Sequence, residues 1–110
     1  MEFSSKEMRR CELAYVSGRI DSSTAPELQE HLNSLMNRGR HNLVLNMRDV
    51  AFLSSAGLRT ILSALQACKR QGGDVRLSEV SDQVARVLEL TSFDIYFKCF
   101  ASDTEAVGSF

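Results

Sequence analysis

The sequence predicts an α/β domain built on a mixed, mostly parallel sheet of four to five strands with about four helices. Three observations predict it. Short apolar runs bounded by turn residues alternate with segments whose apolar residues recur every three or four positions, the pattern that strand–helix–strand units produce. The 110 residues are 44% hydrophobic and 25% charged, which supports one core and argues against two. One proline, six glycines and no visible repeat, linker or charge block leave residues 1–110 as a single continuous domain.

Each element has a local reason. The segment from roughly Phe3 to Ser17, with Leu13, Tyr15 and Val16, reads as one or two strands, in the second case a hairpin. Gly18 and Asp21-Ser22-Ser23 supply turn chemistry. A first helix is expected from near Thr24. Thr24 and Glu27 have capping-box spacing, Pro26 lies in the first turn where its missing N–H costs little, and Leu28, Leu32, Leu35 and Met36 make one stripe. Gly39 is its expected stop. Asn42 to Met47 reads as a buried strand. A second helix follows Leu53-Ser54-Ser55-Ala56-Gly57, with Leu58, Ile61, Leu62 and Leu65 inward and Arg59, Thr60, Ser63, Gln66 and Arg70 outward; Gly72-Gly73 closes it. Asp74 to Ser78 is the next strand, Asp82 to Leu90 the third helix, Ile95 to Phe100 a last strand, and Ser102 to Glu105 opens a short closing helix. In such a sheet, interaction sites lie where strand carboxyl ends run into helices. Two loops qualify: Asp21 to Thr24 and Leu53 to Gly57.

Composition removes several functions. Thirteen basic and 14 acidic side chains leave a net charge of −1, so no nucleic-acid partner is expected from net charge; a balanced total does not address a local basic patch. No stretch approaches the roughly 20 apolar residues that span a bilayer, so no membrane insertion is expected. Met1 to Arg10 contains no apolar signal core. Cys11, Cys68 and Cys99 are odd in number and widely spaced, neither a disulfide framework nor a CxxC clip. A reducing, cytoplasmic compartment is expected.

Enzyme chemistry finds no support in the motifs. His31 lies off the apolar stripe of the first helix and His41 follows Arg40 in a loop. Neither has Cys or carboxylate partners at ligand spacing, so both read as solvated surface residues and no metal site is expected. Asp49 reads as a turn residue. No phosphate-cradling GxxxxGK[ST] or GxGxxG occurs, and Ser54 and Ser55 lack a GxSxG elbow. No catalytic residue and no cofactor is assigned. The cysteines read as buried, inert thiols. Phe93, Tyr96, Phe97 and Phe100 read mostly as core, with an exposed aromatic contact surface as the alternative.

The segment Leu53 to Leu58 has two readings. In one, Ser54 or Ser55 caps the second helix while Ala56 and Gly57 pack on the sheet. In the other, small residues leave the backbone accessible. A phosphoserine there would then add about −1.5 to −2 charges at the positive helix end, an electrostatic switch. The residues alone leave both open.

The order of several short motifs carries a resemblance. Val16-Ser17-Gly18-Arg19-Ile20-Asp21 with Thr24-Ala25, the strand Asn42 to Asn46, Val50-Ala51-Phe52-Leu53-Ser54-Ser55-Ala56-Gly57-Leu58, Gln71-Gly72-Gly73 and Val84 through Phe93 together resemble STAS domains over about Glu12 to Phe100. The small size resembles a stand-alone bacterial anti-sigma-factor antagonist more than the tail of an anion transporter. The resemblance implies a STAS fold and a non-enzymatic regulator. Its implied partners are an anti-sigma factor that is also a serine kinase with a histidine-kinase-like ATP site, and a PP2C-type phosphatase. Aligned through Gly57, the phosphorylated serine falls on Ser55. Ser54 takes the usual Asp position and is the second candidate acceptor, and Ala56 takes the second hydroxyl position. Ser92 stands where many members have Gly. The implied partner face comprises Asp21, Ser22, Ser23, Thr24, Ser54, Ser55, Gly57, Arg59, Thr60 and Ser63. Two alternatives within the resemblance are a subunit of a lipid-transport ABC complex and a scaffold of a signalling assembly. A nucleotide-hydrolysing enzyme is a third, and the missing glycine loop argues against it.

Overall fold

The computed structural model describes residues 1–110. Five strands form one sheet in the order β1-β2-β3-β4-β5: β1 (Glu2–Glu7), β2 (Glu12–Ile20), β3 (Asn42–Leu53), β4 (Asp74–Ser78) and β5 (Cys99–Phe100). Only β1–β2 is antiparallel, a hairpin pairing Glu7 with Glu12 and Glu2 with Ser17. The other three pairings are parallel, as helical crossovers require. The helices are α1 (Ala25–Asn37), α2 (Ser55–Arg70), α3 (Asp82–Leu90) and α4 (Asp103–Gly108), with a 3₁₀ turn at Phe93–Ile95.

Period-two alternation along the strands divides the core. Leu43, Leu45 and Met47 of β3 join Leu28 and Leu32 of α1, Leu58 and Ile61 of α2, and Val84 and Leu88 of α3 in the main cluster. The intervening Val44 points the other way, where Cys11, Leu13 and Ala106 of α4 make a smaller one. Three helices therefore cover one face and the short α4 part of the other.

Several expectations change. The α1 capping box does not form: Thr24 sits in the N-cap position without a side-chain cap bond. Instead the Asp21 carboxylate closes the preceding turn, accepting from the backbone N–H of Ser23 (2.9 Å) and Thr24 (3.3 Å). β3 runs six residues beyond Met47, so Asp49 is an exposed strand residue opposite Ser17 rather than a turn. Two register shifts in β2–β3, between Tyr15 and Ser17 and between Gly18 and Arg19, absorb the mismatch as bulges. The last strand is two residues long: the 3₁₀ turn Phe93–Ile95 takes Ile95, and Tyr96, Phe97 and Lys98 lie outside the strand. His31 and His41 are half-buried, not solvated. His31 stacks on Phe3 at 4.7 Å, and burial pushes its pKa down. Cys11 and Cys68 are buried as expected, and burial raises both thiols, Cys68 to about 11. Cys99 is exposed instead. Among the aromatics, Phe97 is core, whereas Tyr96 is 48% exposed.

Helix stops behave as read. Gly39 adopts φ +83° and returns its N–H to the Met36 carbonyl at 2.9 Å. Gly73 has a different reason to be glycine. A Cβ there would fall on the carbonyl oxygen of His41 and 3.0 Å from Asn42 Oδ1. That carbonyl accepts from Asp74 N at 3.0 Å, so it cannot retreat without opening the β3–β4 ladder. A methyl at Gly39 meets nothing within 4 Å. Gly39→Ala is therefore expected to cost about 1 kcal/mol from its left-handed backbone, and Gly73→Ala about 3 kcal/mol from overpacking. Urea denaturation of the two variants checks the order; equal losses would contradict it.

Candidate functional site

Parallel pairing makes the two candidate loops neighbours. The β2–β3 register reaches its last pair at Ile20 and Leu53, and Ser54 N–H then donates to the Ile20 carbonyl at 2.8 Å. Both chains leave the sheet at that point. One becomes the Asp21–Thr24 turn, the other the start of α2.

The first loop is a closed hydrogen-bond knot. Thr24 Oγ1 accepts from Asp21 N at 2.9 Å and donates to the Arg19 carbonyl at 2.8 Å. The Ser23 hydroxyl donates to Asp21 Oδ1 at 2.6 Å. That hydroxyl, with the Ser23 backbone N–H, holds the Asp21 carboxyl below the usual carboxylate range. Ser22 and Ser23 are exposed at the tip.

In the second loop the adjacent serines divide the work. Ser54, in extended backbone, is the N-cap of α2, and its hydroxyl accepts from Gly57 N at 3.2 Å. It is half-buried. Ser55 is the first helical residue and is exposed. Its hydroxyl takes no part in the cap and belongs to the first turn of a 16-residue helix, where negative charge is favoured. Further along the exposed face stand Arg59 and Ser63. Thr60 is half-buried, its hydroxyl returned to the Ala56 carbonyl at 3.2 Å.

Gly57 takes the packing role of the first reading and not a place on the exposed face. It is buried, and a Cβ there would collide with Ile20 Cγ2 and lie 3.0 Å from Leu53 Cδ1. It seats α2 on the ends of β2 and β3 and offers no accessible backbone. Two residues escaped the sequence reading. Ile20 provides the surface on which Gly57 rests. Arg19 lies 4.3 Å over the Phe52 ring and 3.7 Å from Asp21 Oδ2, tying the two loops together from the other face of the sheet. Its i, i+2 spacing from Asp21 was the available sign.

The STAS domain family profile matches residues 5–106. The chain belongs to the STAS domain family. Among curated relatives, the anti-sigma-B factor antagonist of Bacillus subtilis is 32% identical over 76 residues, covering 69% of each chain. The family's anti-sigma-factor antagonists are therefore the group in which this STAS domain falls. A crystal structure from Thermotoga maritima superposes with a TM-score of 0.90 at 23% identity, covering 97% of this chain and 92% of that one. The antagonist SpoIIAA, solved without phosphate, gives 0.77 at 16% identity, with 98% and 96% covered. No helix of this STAS domain is long and apolar enough to cross a membrane.

The division between the serines is measurable. Ser54→Ala should destabilise the domain by about 1 kcal/mol through loss of the cap, and Ser55→Ala by less than about 0.5 kcal/mol. Gly57→Ala should cost about 1–3 kcal/mol through overpacking against Ile20. Chemical denaturation of the three variants checks the ranking; a larger loss at Ser55 than at Ser54 would refute the assignment of the cap.

Proposed function

We propose that this STAS domain is a partner-switching regulator without enzymatic activity of its own, acting in the cytoplasm. Unmodified, it binds an anti-sigma factor that is also a histidine-kinase-like serine kinase. Phosphorylation of Ser55 releases it, and a PP2C-type phosphatase restores binding. The observation that carries this reading is the separation of cap from exposed hydroxyl. Ser54 satisfies the helix start, so Ser55 can be modified without removing a bond on which the fold depends. The docking face comprises Ser55, Arg59 and Ser63 of α2 with the Asp21–Thr24 turn beside them. Ser54 and Gly57 support that face from beneath. Support also comes from the curated relatives, named as anti-sigma-B factor antagonists, and from the solved phosphorylated form of Bacillus SpoIIAA, a neighbour in fold.

The release step is electrostatic. Phosphate adds about −1.5 to −2 charges to Ser55. In the unmodified complex that oxygen lies in a dehydrated interface matched to a neutral hydroxyl. An imperfectly paired charge there costs roughly 2–5 kcal/mol, or about 30- to 4000-fold in affinity. The cost falls on the complex and not on the free domain, where the helix terminus favours the charge.

Wild type, Ser55→Ala and Ser55→Asp are the informative baits in native lysate, read by mass spectrometry. A kinase-like ATPase retained by wild type and Ser55→Ala but lost by Ser55→Asp is the expected outcome. Isolated with that ATPase, Ser55→Asp should bind at least about 30-fold more weakly by calorimetry. If all three baits hold the same transporter ATPase or larger assembly, the domain is a constitutive subunit and Ser55 is no switch.

A further inference from the structure

Away from the Ser55 face, at the β5 edge of the sheet, an open groove of about 500 Å³ lies between α3 and the strand ends. Val80, Leu88 and Phe100 are among its mainly apolar lining. Glu79, Glu89 and Asp94 also line it, and no basic residue does. Glu79 is held by Asn46 Nδ2 at 2.6 Å; Glu89 and Asp94 are exposed and take part in no ion pair within the chain. The segment that bounds the groove also carries the most exposed large apolar side chains of the domain, Leu90 at 80% and Ile95 at 75%, followed by Tyr96. Between Leu90 and Ile95 the chain turns through Ser92 in the left-handed region, φ +62°. That backbone turns Ile95 and Tyr96 outward while Phe97 enters the core. Leu90, Ile95 and Tyr96 do not line the groove themselves but each lies next in sequence to, or within two residues of, a lining residue, and exposed apolar surface of this kind marks an interaction site.

We propose that this groove is a second docking surface, for a basic amphipathic helix of a partner protein, with its apolar face on Val80, Phe100 and Ala101 and its lysines or arginines against Glu79, Glu89 and Asp94. The charge pattern selects this occupant. A second copy seated groove to groove would bring six carboxylates together with no basic residue of the lining to pair them, which is repulsive in a partly dehydrated site. An acidic or nucleic-acid partner meets the same repulsion. A helix suits an open groove, because its apolar anchors recur on one face and its backbone needs no pairing. The surface does not depend on modification at Ser55, so a domain released at one face can remain tethered at the other.

Two synthetic helical peptides with the same leucine face test it, one carrying lysines and the other glutamates on the polar face. Isotopically labelled full chain is titrated with each and followed by amide NMR. The lysine peptide is expected to shift Val80, Ala85, Leu88, Cys99 and Ala101 saturably, leaving Ser55, Arg59 and Ser63 unmoved, while the glutamate peptide shifts none. In the doubly reversed chain, Glu89→Lys with Asp94→Lys, affinity for the lysine peptide should fall at least tenfold and the glutamate peptide should now bind. Both positions are exposed, and an unchanged amide spectrum elsewhere verifies the fold of the variant. No shift in the groove, or equal shifts from both peptides, would overturn the proposal. Groove shifts that follow protein concentration alone would overturn it in favour of a second copy.

Discussion

The parallel pairing of β2 with β3 is the constraint on which the rest of the molecule depends. It brings Ile20 level with Leu53 and lets Ser54 N–H complete the ladder on the Ile20 carbonyl. Gly57 then rests on Ile20, where no larger residue fits without displacement. These contacts set the height and entry of α2, and so where the Ser55 hydroxyl emerges. The Asp21 turn starts one residue beyond the same pair. Two loops separated by some thirty residues of chain thus become one surface because two strands stop together.

At the other end of β2 a second constraint acts. Glu12 begins β2 and is buried, an uncommon state for a carboxylate. Arg38 reaches Oε1 at 3.2 Å and Arg40 reaches Oε2 at 3.3 Å. Arg40 also donates to the Met8 and Cys11 carbonyls at 2.8 and 2.6 Å. The turn that ends α1 and the turn that joins β1 to β2 are bound through one carboxylate. Removing both arginines would leave the buried Glu12 carboxylate without a partner, which destabilises more than the intact pair stabilises.

Much of this was legible in the sequence, for identifiable reasons. The α1 and α2 stripes are regular, the glycines at 39, 72 and 73 end helices, and the two candidate loops lie where alternation places them. The rest escaped because neighbours compete. Thr24 and Glu27 have capping spacing, but Thr24 Oγ1 is engaged by Asp21 N and the Arg19 carbonyl, and the Thr24 N–H goes to the Asp21 carboxylate. Asp49 looks like a turn residue, yet it stays in β3, paired with Ser17 just past a register shift. Ile95 to Phe100 has strand composition, but Ile95 ends a 3₁₀ turn and Phe97 enters the core before the ladder begins, leaving two residues to pair. Ser54 and Ser55 could not be separated by composition; only the distance to Gly57 N distinguishes them. Ile20, the support of Gly57, acts through a contact that no local spacing announces, and Arg19 showed only its i, i+2 spacing from Asp21.

The sheet ends are unlike each other, and both resist extension. β1 offers six residues, nearly all with exposed side chains and including Glu2, Lys6 and Glu7, so an added strand would bury little apolar surface there. β5 offers two residues, too few to template another chain. Growth of the sheet by strand addition, the usual route to ordered aggregation, is therefore poorly rewarded on either side. Associations of this domain are left to side chains on loops and helices, whose exchange does not require backbone ladders to be broken.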